Sequence, residues 1–269
     1  MIALIPVACV LIALILYFYI SRWRAQRLRN KAFPESWRAI LSQRMAVYPA
    51  LSEQEQQRLH QLIKTFLDDK RFYGCAGLQI TDEMRLVIAA EACLLLLNND
   101  LAVYPKLSSV LVYPSAFQVQ RDQQQADGTV AMGEHNLLGE SWGNGRVILS
   151  WDDVVHGVAD FTDGHNVVLH EFAHQLDAQS GSTNGAPPLR RNSYKSWAVV
   201  FSDNFESLQN LSMRQQQTVM DEYGATNPAE FFAVATETFF EKPHQLHAQR
   251  PQLYEELSKY YQLDPRRWH

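Results

Sequence analysis

The chain has 269 residues, 46% hydrophobic and 20% charged, enough apolar material for a sizeable core, which excludes disordered, collagen-like and disulfide-miniprotein classes. Cys9, Cys75 and Cys93 are too few and too scattered for a disulfide framework or a cysteine-rich zinc module, and the odd number fits a reducing compartment. A net charge of −5 argues against direct nucleic-acid binding through a broadly basic surface.

Residues 2–20, IALIPVACVLIALILYFYI, are nineteen positions without a charge. At about 1.5 Å per helical residue they just suffice to cross a hydrocarbon layer of ~30 Å. No basic segment precedes the run and no small-x-small exit ends it, so it reads as a retained anchor over residues 1–21 and not as a cleaved leader. Arg22, Arg24, Arg27, Arg29 and Lys31 follow it, which under the positive-inside rule keeps the remainder of the chain in the cytoplasm. Up to residue 44 the net charge is +6, and beyond it −11, so a basic collar beside the membrane precedes an acidic body.

Ser52 with Glu55 forms a capping box that opens a helix reaching Lys70, with Leu59, Leu62, Ile63 and Phe66 at helical spacing. A second, largely apolar helix is expected over 82–98. Strand-like runs follow at 109–113, 116–120 and 145–151, each bounded by turn residues. From Gly164 onward the pattern is helical, in four or five segments interrupted by the Gly/Ser/Pro-rich loop 180–188. The order predicts an α+β fold, a small mixed sheet followed by a helical C-terminal lobe. Three parts are expected: the anchor at 1–21, a basic linker with a short helix at 22–48, and one α+β domain at 49–269.

The most informative residues are His170-Glu171-Phe172-Ala173-His174. H-E-x-x-H alone is only suggestive, but Val167, Val168, Phe172, Ala173 and Leu176 place it on a core helix, where two unpaired histidines would be costly. Residues i and i+4 share a face, so both imidazoles can hold one Zn²⁺ while Glu171, about 100° around the helix, serves as base for a zinc-bound water. A catalytic zinc takes a third protein ligand. The candidates lie in NPAEFFAVATETFF, where Asn227 is a fitting N-cap and Pro228 a fitting first helical residue. Glu230 is assigned to the metal and Glu237, two turns on, to a position behind it. Exchange of the two, or a plain capping-box role for Glu230, are the alternatives. Asp177 shares a face with His170 and can orient an imidazole, or is simply a surface carboxylate. His156 and His165, expected in loops, and His244, His247 and His269 lack metal spacing; Cys75 and Cys93 read as core residues.

HEFAHQLD, the downstream NPAEFFAVATETFF, and Tyr223 seven residues before Glu230 resemble the MtfA family of zinc-dependent peptidases, named for titrating the glucose repressor Mlc. The site is also similar to that of lethal-factor-type toxin metalloproteases. The likeness runs from about residue 51 to the C-terminus and includes LVYPSAF, LGESW and VILSW. It implies a bacterial zincin-like peptidase with one zinc per chain, to which the apolar run and its basic flank add a single-pass anchor in the inner membrane. In that reading His170, His174 and Glu230 bind zinc, Glu171 is the acid/base and Tyr223 steadies the oxyanion, a plain core aromatic being its alternative. The strand at 145–151 stands where zincins place the edge that pairs with an extended substrate, though its apolar centre, Val147 to Leu149, is equally expected of a buried strand. Partners are a peptide or protein substrate and the membrane through residues 2–20. Aminopeptidase and endopeptidase action both stay open. A second reading is a zinc-containing regulatory protein that captures a transcriptional repressor. The anchor departs from the family's pattern, as does the lack of a clear counterpart for a histidine that precedes LGESW, the nearest here being His135.

Overall fold

The computed structural model describes residues 31–99, 101–115, 117–124, 130–137, 139–142 and 145–269, and of 117–142 the backbone course only. The expected anchor at 2–20, the collar up to residue 30 and the His135 side chain lie outside this description.

The first helix, α1 (Glu35–Arg44), is short and sends Leu41 inward. Phe33, Leu41, Met45, Val47 and Tyr48 belong to the same hydrophobic core as Phe172 and Phe232 far along the chain, so the packed body begins before residue 49 and takes in part of the expected linker. Helix α2 (Glu53–Asp69) opens on the expected capping box: Glu55 N–H donates to Ser52 Oγ, and the Glu55 carboxylate accepts from Ser52 N–H at 2.9 Å. Its Leu59, Leu62, Ile63 and Phe66 are buried. After β1 (Arg71–Gly74) comes α3 (Asp82–Leu94), capped by Thr81 and buried over almost its whole length, including Glu91. It ends four residues before the expected boundary, because the apolar run through Leu97 continues as turns that are still core.

Strands β2 (Ser109–Tyr113) and β6 (Arg146–Ser150) run parallel to each other and to β1, and β5 (Gly139–Trp142) closes the sheet antiparallel to β6. The order is β1-β2-β6-β5. Val110 faces Val147 and Val112 faces Leu149, all four buried, and this pattern fixes the register. The run at 145–151 is therefore an interior strand, and the edge strands are β1 and, beside β6, β5. Four residues reading GESW carry too little alternation to announce a strand. Strands β3 (Phe117–Gln124) and β4 (Val130–Leu137) pair separately as an antiparallel hairpin.

Trp151 does not extend β6; it begins α4 (Trp151–Ala159), which carries His156 on a helix and not in a loop. Then follow α5 (Val167–Asp177), α6 (Tyr194–Met213), α7 (Pro228–Glu241), α8 (Pro243–Gln249) and α9 (Pro251–Tyr261). Helix α5 is central. It packs on α7, on α3 and α4, and on strands β5 and β6. Phe172 anchors it, its ring 4.8 Å from that of Tyr104 and 5.7 Å from that of Phe66. None of the described helices is long and apolar enough to cross a membrane.

Candidate metal centre

Asn166 sets the start of α5: its Oδ1 accepts from the N–H groups of Val168 and Leu169 at 3.1 and 3.0 Å. One turn in, His170 and His174 leave the same face of the helix, with their Nε2 atoms 3.2 Å apart. Asn227 caps α7 in the same manner, accepting from Ala229 and Glu230 N–H, and Pro228 fills the first helical position. Glu230 thereby projects from the first turn of α7 toward α5. Its Oε2 lies 3.0 Å from His170 Nε2 and 3.2 Å from His174 Nε2. The cap is completed by the Asn227 side chain, which leaves the Glu230 carboxylate for the histidines.

These three atoms are the one group among the described residues arranged to hold a metal ion. Ligand atoms around a tetrahedral Zn²⁺ at 2.0–2.1 Å stand about 3.3 Å apart, close to the observed triangle. The donor chemistry agrees. His170 Nδ1 meets Glu237 Oε2 at 3.0 Å, so that with a cation in the triangle Nδ1 would keep its proton on Glu237 and the Nε2 lone pair would be left for the metal. Burial favours a neutral His170, but Glu237, Glu230 and Glu171 outweigh it and push the imidazole well above its ordinary range. Burial also raises the Glu230 carboxyl, and the hydrogen bonds from His170 and His174 overcome that and hold it at about 2. Three carboxylates thus surround two imidazoles with no Lys or Arg among their described ion-pair partners. Such a cluster fits a divalent cation.

Glu171 is 3% exposed, and its Oε2 has no hydrogen-bond partner among the described residues. Burial pushes its carboxyl up to about 8, His170 opposes this, and the charges of Glu230 and Glu237 add to it. The Tyr223 ring stands 6.0 Å from that of His170, on the short turn Glu222–Ala225, and half of the residue is exposed. Burial, with Glu230 and Glu171, pushes its phenol up to about 12, so it remains a proton donor at neutral pH.

Asp177 takes a partner other than the expected imidazole. Fully buried, it accepts from Gly185 N–H at 2.7 Å and so fastens the loop that follows α5. Two buried carboxyls enter that the sequence reading passed over. Glu91 accepts from Asn166 Nδ2 at 2.8 Å, and Glu241 accepts from Gly164 N–H at 2.8 Å, while Asn166 N–H donates to Glu237 Oε1 at 2.9 Å. The signal for Glu91 was a lone acid inside LVIAAEACLLLL. His165 pairs loosely with Asp221 at 3.9 Å and His156 with Asp163 at 3.3 Å, both exposed and outside the triangle.

A small mixed sheet, a helix bearing two histidines one turn apart and a glutamate arriving from a second helix form a candidate metal centre in a fold consistent with a zincin-like peptidase domain. The family model described as glucose-regulated metallo-peptidase M90 matches residues 20–262, and the chain belongs to this family. It is 47% identical over 246 residues to the uncharacterized protein slr2042 of Synechocystis, covering 90% of this chain and 89% of that protein. It is 31% identical over 253 residues to Mlc titration factor A of Yersinia pestis, covering 91% and 92%, and equally to that of Yersinia pseudotuberculosis.

Proposed function

We propose that this protein is a zinc-dependent peptidase in which His170, His174 and Glu230 hold the ion and Glu171 is the general base. The observation that carries the proposal is the convergence of His170 Nε2, His174 Nε2 and Glu230 Oε2, with a buried Glu171 whose Oε2 has no hydrogen-bond partner among the described residues. When bound, zinc lowers the pKa of a coordinated water toward 7 and polarises the carbonyl to be attacked. Glu171 accepts the proton of the attacking water and delivers it to the leaving amine. Tyr223 donates a hydrogen bond to the developing oxyanion. Glu237 holds His170 with its Nε2 lone pair free. The test is cleavage of an unstructured reporter peptide that stops on chelation and returns on adding zinc; cleavage indifferent to the chelator refutes the proposal.

We further propose that residues 2–20 tether the domain to the inner membrane with the site facing the cytoplasm. The support is the uncharged run with its basic flank. Fractionation of the full chain against a variant lacking residues 2–20 tests this.

A second reading rests on the name of the Yersinia relative, Mlc titration factor A. In it the chain captures a transcriptional repressor on a surface apart from the metal. Repressor binding by a Glu171→Gln variant that no longer cleaves supports this role; absence of binding by the wild-type chain removes it.

A further inference from the structure

We propose that Gly185 is a positioning residue for the metal centre: it is the spacer that sets how closely the glutamate-bearing helix α7 approaches the histidine-bearing helix α5. The inference rests on the reading of Glu230 as the third metal ligand.

Helix α5 stops at Asp177, turns once through Ala178–Ser180, and continues as a strap toward α6. The strap is fastened from several directions. Lys106 Nζ donates to Ala178 O at 2.6 Å. The buried Asp177 carboxylate accepts from Gly185 N–H at 2.7 Å, and Trp197 Nε1 on α6 donates to Gly185 O at 2.9 Å. The Gly185 peptide is thus clamped between the end of α5 and the body of α6, at a φ of +79° that disfavours any side chain. A Cβ at this position would stand 2.4 Å from Pro228 O and 3.0 Å from Pro228 C.

Pro228 is the first residue of α7, and Glu230 follows two positions later. The collision is backbone against backbone, so no flexible side chain can give way. Either the strap leaves Asp177 and Trp197, or the first turn of α7 moves and carries Glu230 with it. The triangle of ligand atoms, with edges of 3.0 to 3.2 Å, has little slack for such a move. The described hydrogen bonds of Gly185 go to Asp177 and Trp197 and none to the metal ligands or Glu171, so its effect is routed through Asp177, Trp197 and the neighbouring Pro228.

The test uses the full chain, with Zn²⁺ affinity read by competition against a chromophoric chelator and coordination geometry read from the visible spectrum after Co²⁺ loading. Gly185→Ala is expected to bind Zn²⁺ about 10- to 100-fold more weakly, the range seen when supports behind metal ligands are lost. Its Co²⁺ spectrum is expected to shift, and the thermal midpoint of the metal-free protein is expected to fall, since positive φ and the Pro228 contact strain the fold, while the protein stays folded at about 25 °C where affinity is read. Asp177→Asn, which keeps an acceptor for Gly185 N–H, is expected to remain within about threefold of wild type, and Asp177→Ala is not. Wild-type affinity and spectrum in Gly185→Ala overturn the inference. Should that variant not fold, Trp197→Phe decides, since it removes the donor to Gly185 O and keeps an aromatic ring, though a smaller one, against Phe201, Phe232 and Tyr260: Zn²⁺ binding weakened in the folded variant supports the clamp and unchanged binding overturns it. Glu230→Gln separates the two levels. Retained affinity there refutes the ligand assignment itself, whereas its loss alongside a normal Gly185→Ala refutes only the spacer.

Discussion

Glu237 spans the first turn of the histidine helix: its Oε2 lies 3.0 Å from His170 Nδ1 and its Oε1 accepts from the N–H of the capping Asn166 at 2.9 Å. One carboxylate therefore fixes both the tautomer of the first histidine and the entry to its helix. Removal of that carboxylate, as in Glu237→Ala, is expected to weaken zinc binding about 10- to 100-fold, where Glu230→Gln loses it more severely. Chelator competition on both variants checks this, and the reverse ranking would exchange the two roles.

Tyr223 tests the oxyanion assignment. Its ring stands beside His170 and its phenol is kept protonated at neutral pH, so Tyr223→Phe removes a donor while sparing the fold. We expect kcat to fall about 100-fold with KM nearly unchanged, the pattern of an interaction made only in the transition state. Unaltered kcat removes Tyr223 from the mechanism.

Phe172 tests the seat of the site. It lies between the two histidines in sequence and is fully buried against Tyr104 and Phe66. Phe172→Ala leaves a cavity there and is expected to cost about 3–5 kcal/mol in denaturant unfolding. A loss below about 1 kcal/mol would mean that α5 is not anchored by this ring.

His60 gives the stability a pH dependence of definite sign. It accepts or donates at 2.8 Å with Tyr48 Oη and stacks on Phe33 with ring centroids 3.8 Å apart. Burial, with the Arg38 and Lys64 charges adding, lowers it to about 4. The unfolded chain takes up this proton near its ordinary pKa of 6.5 and the folded chain only near 4. The stabilisation is therefore full above pH 6.5 and is lost as pH falls from 6.5 toward 4. The difference in thermal midpoint between wild type and His60→Gln is expected to be largest above pH 6.5 and to shrink across that window; a constant difference contradicts the assignment.

The histidine helix was legible because everything that marks it is local: the Asn166 cap, the apolar positions around H-E-x-x-H, and the four-residue spacing. Glu230 was legible for the same reason, a capped helix with two acids on one apolar face. What escaped depended on contacts distant in sequence. Asp177 reads as an imidazole partner by helical spacing, yet Gly185, eight residues on, claims its carboxylate. Glu91 reaches Asn166 across 75 positions, and no periodicity encodes that meeting. The edge strand was misplaced by one, because β5 is four residues long and its identity comes from pairing with β6, not from its own pattern.

The measurement that bears most directly on the account is the metal content and peptidase activity of Glu171→Gln, determined on one preparation. The account predicts about one zinc per chain, as in wild type, with cleavage of the reporter peptide reduced by about 10²- to 10⁴-fold, the usual contribution of a general base. A Glu171→Gln protein that binds zinc and turns over normally would contradict it.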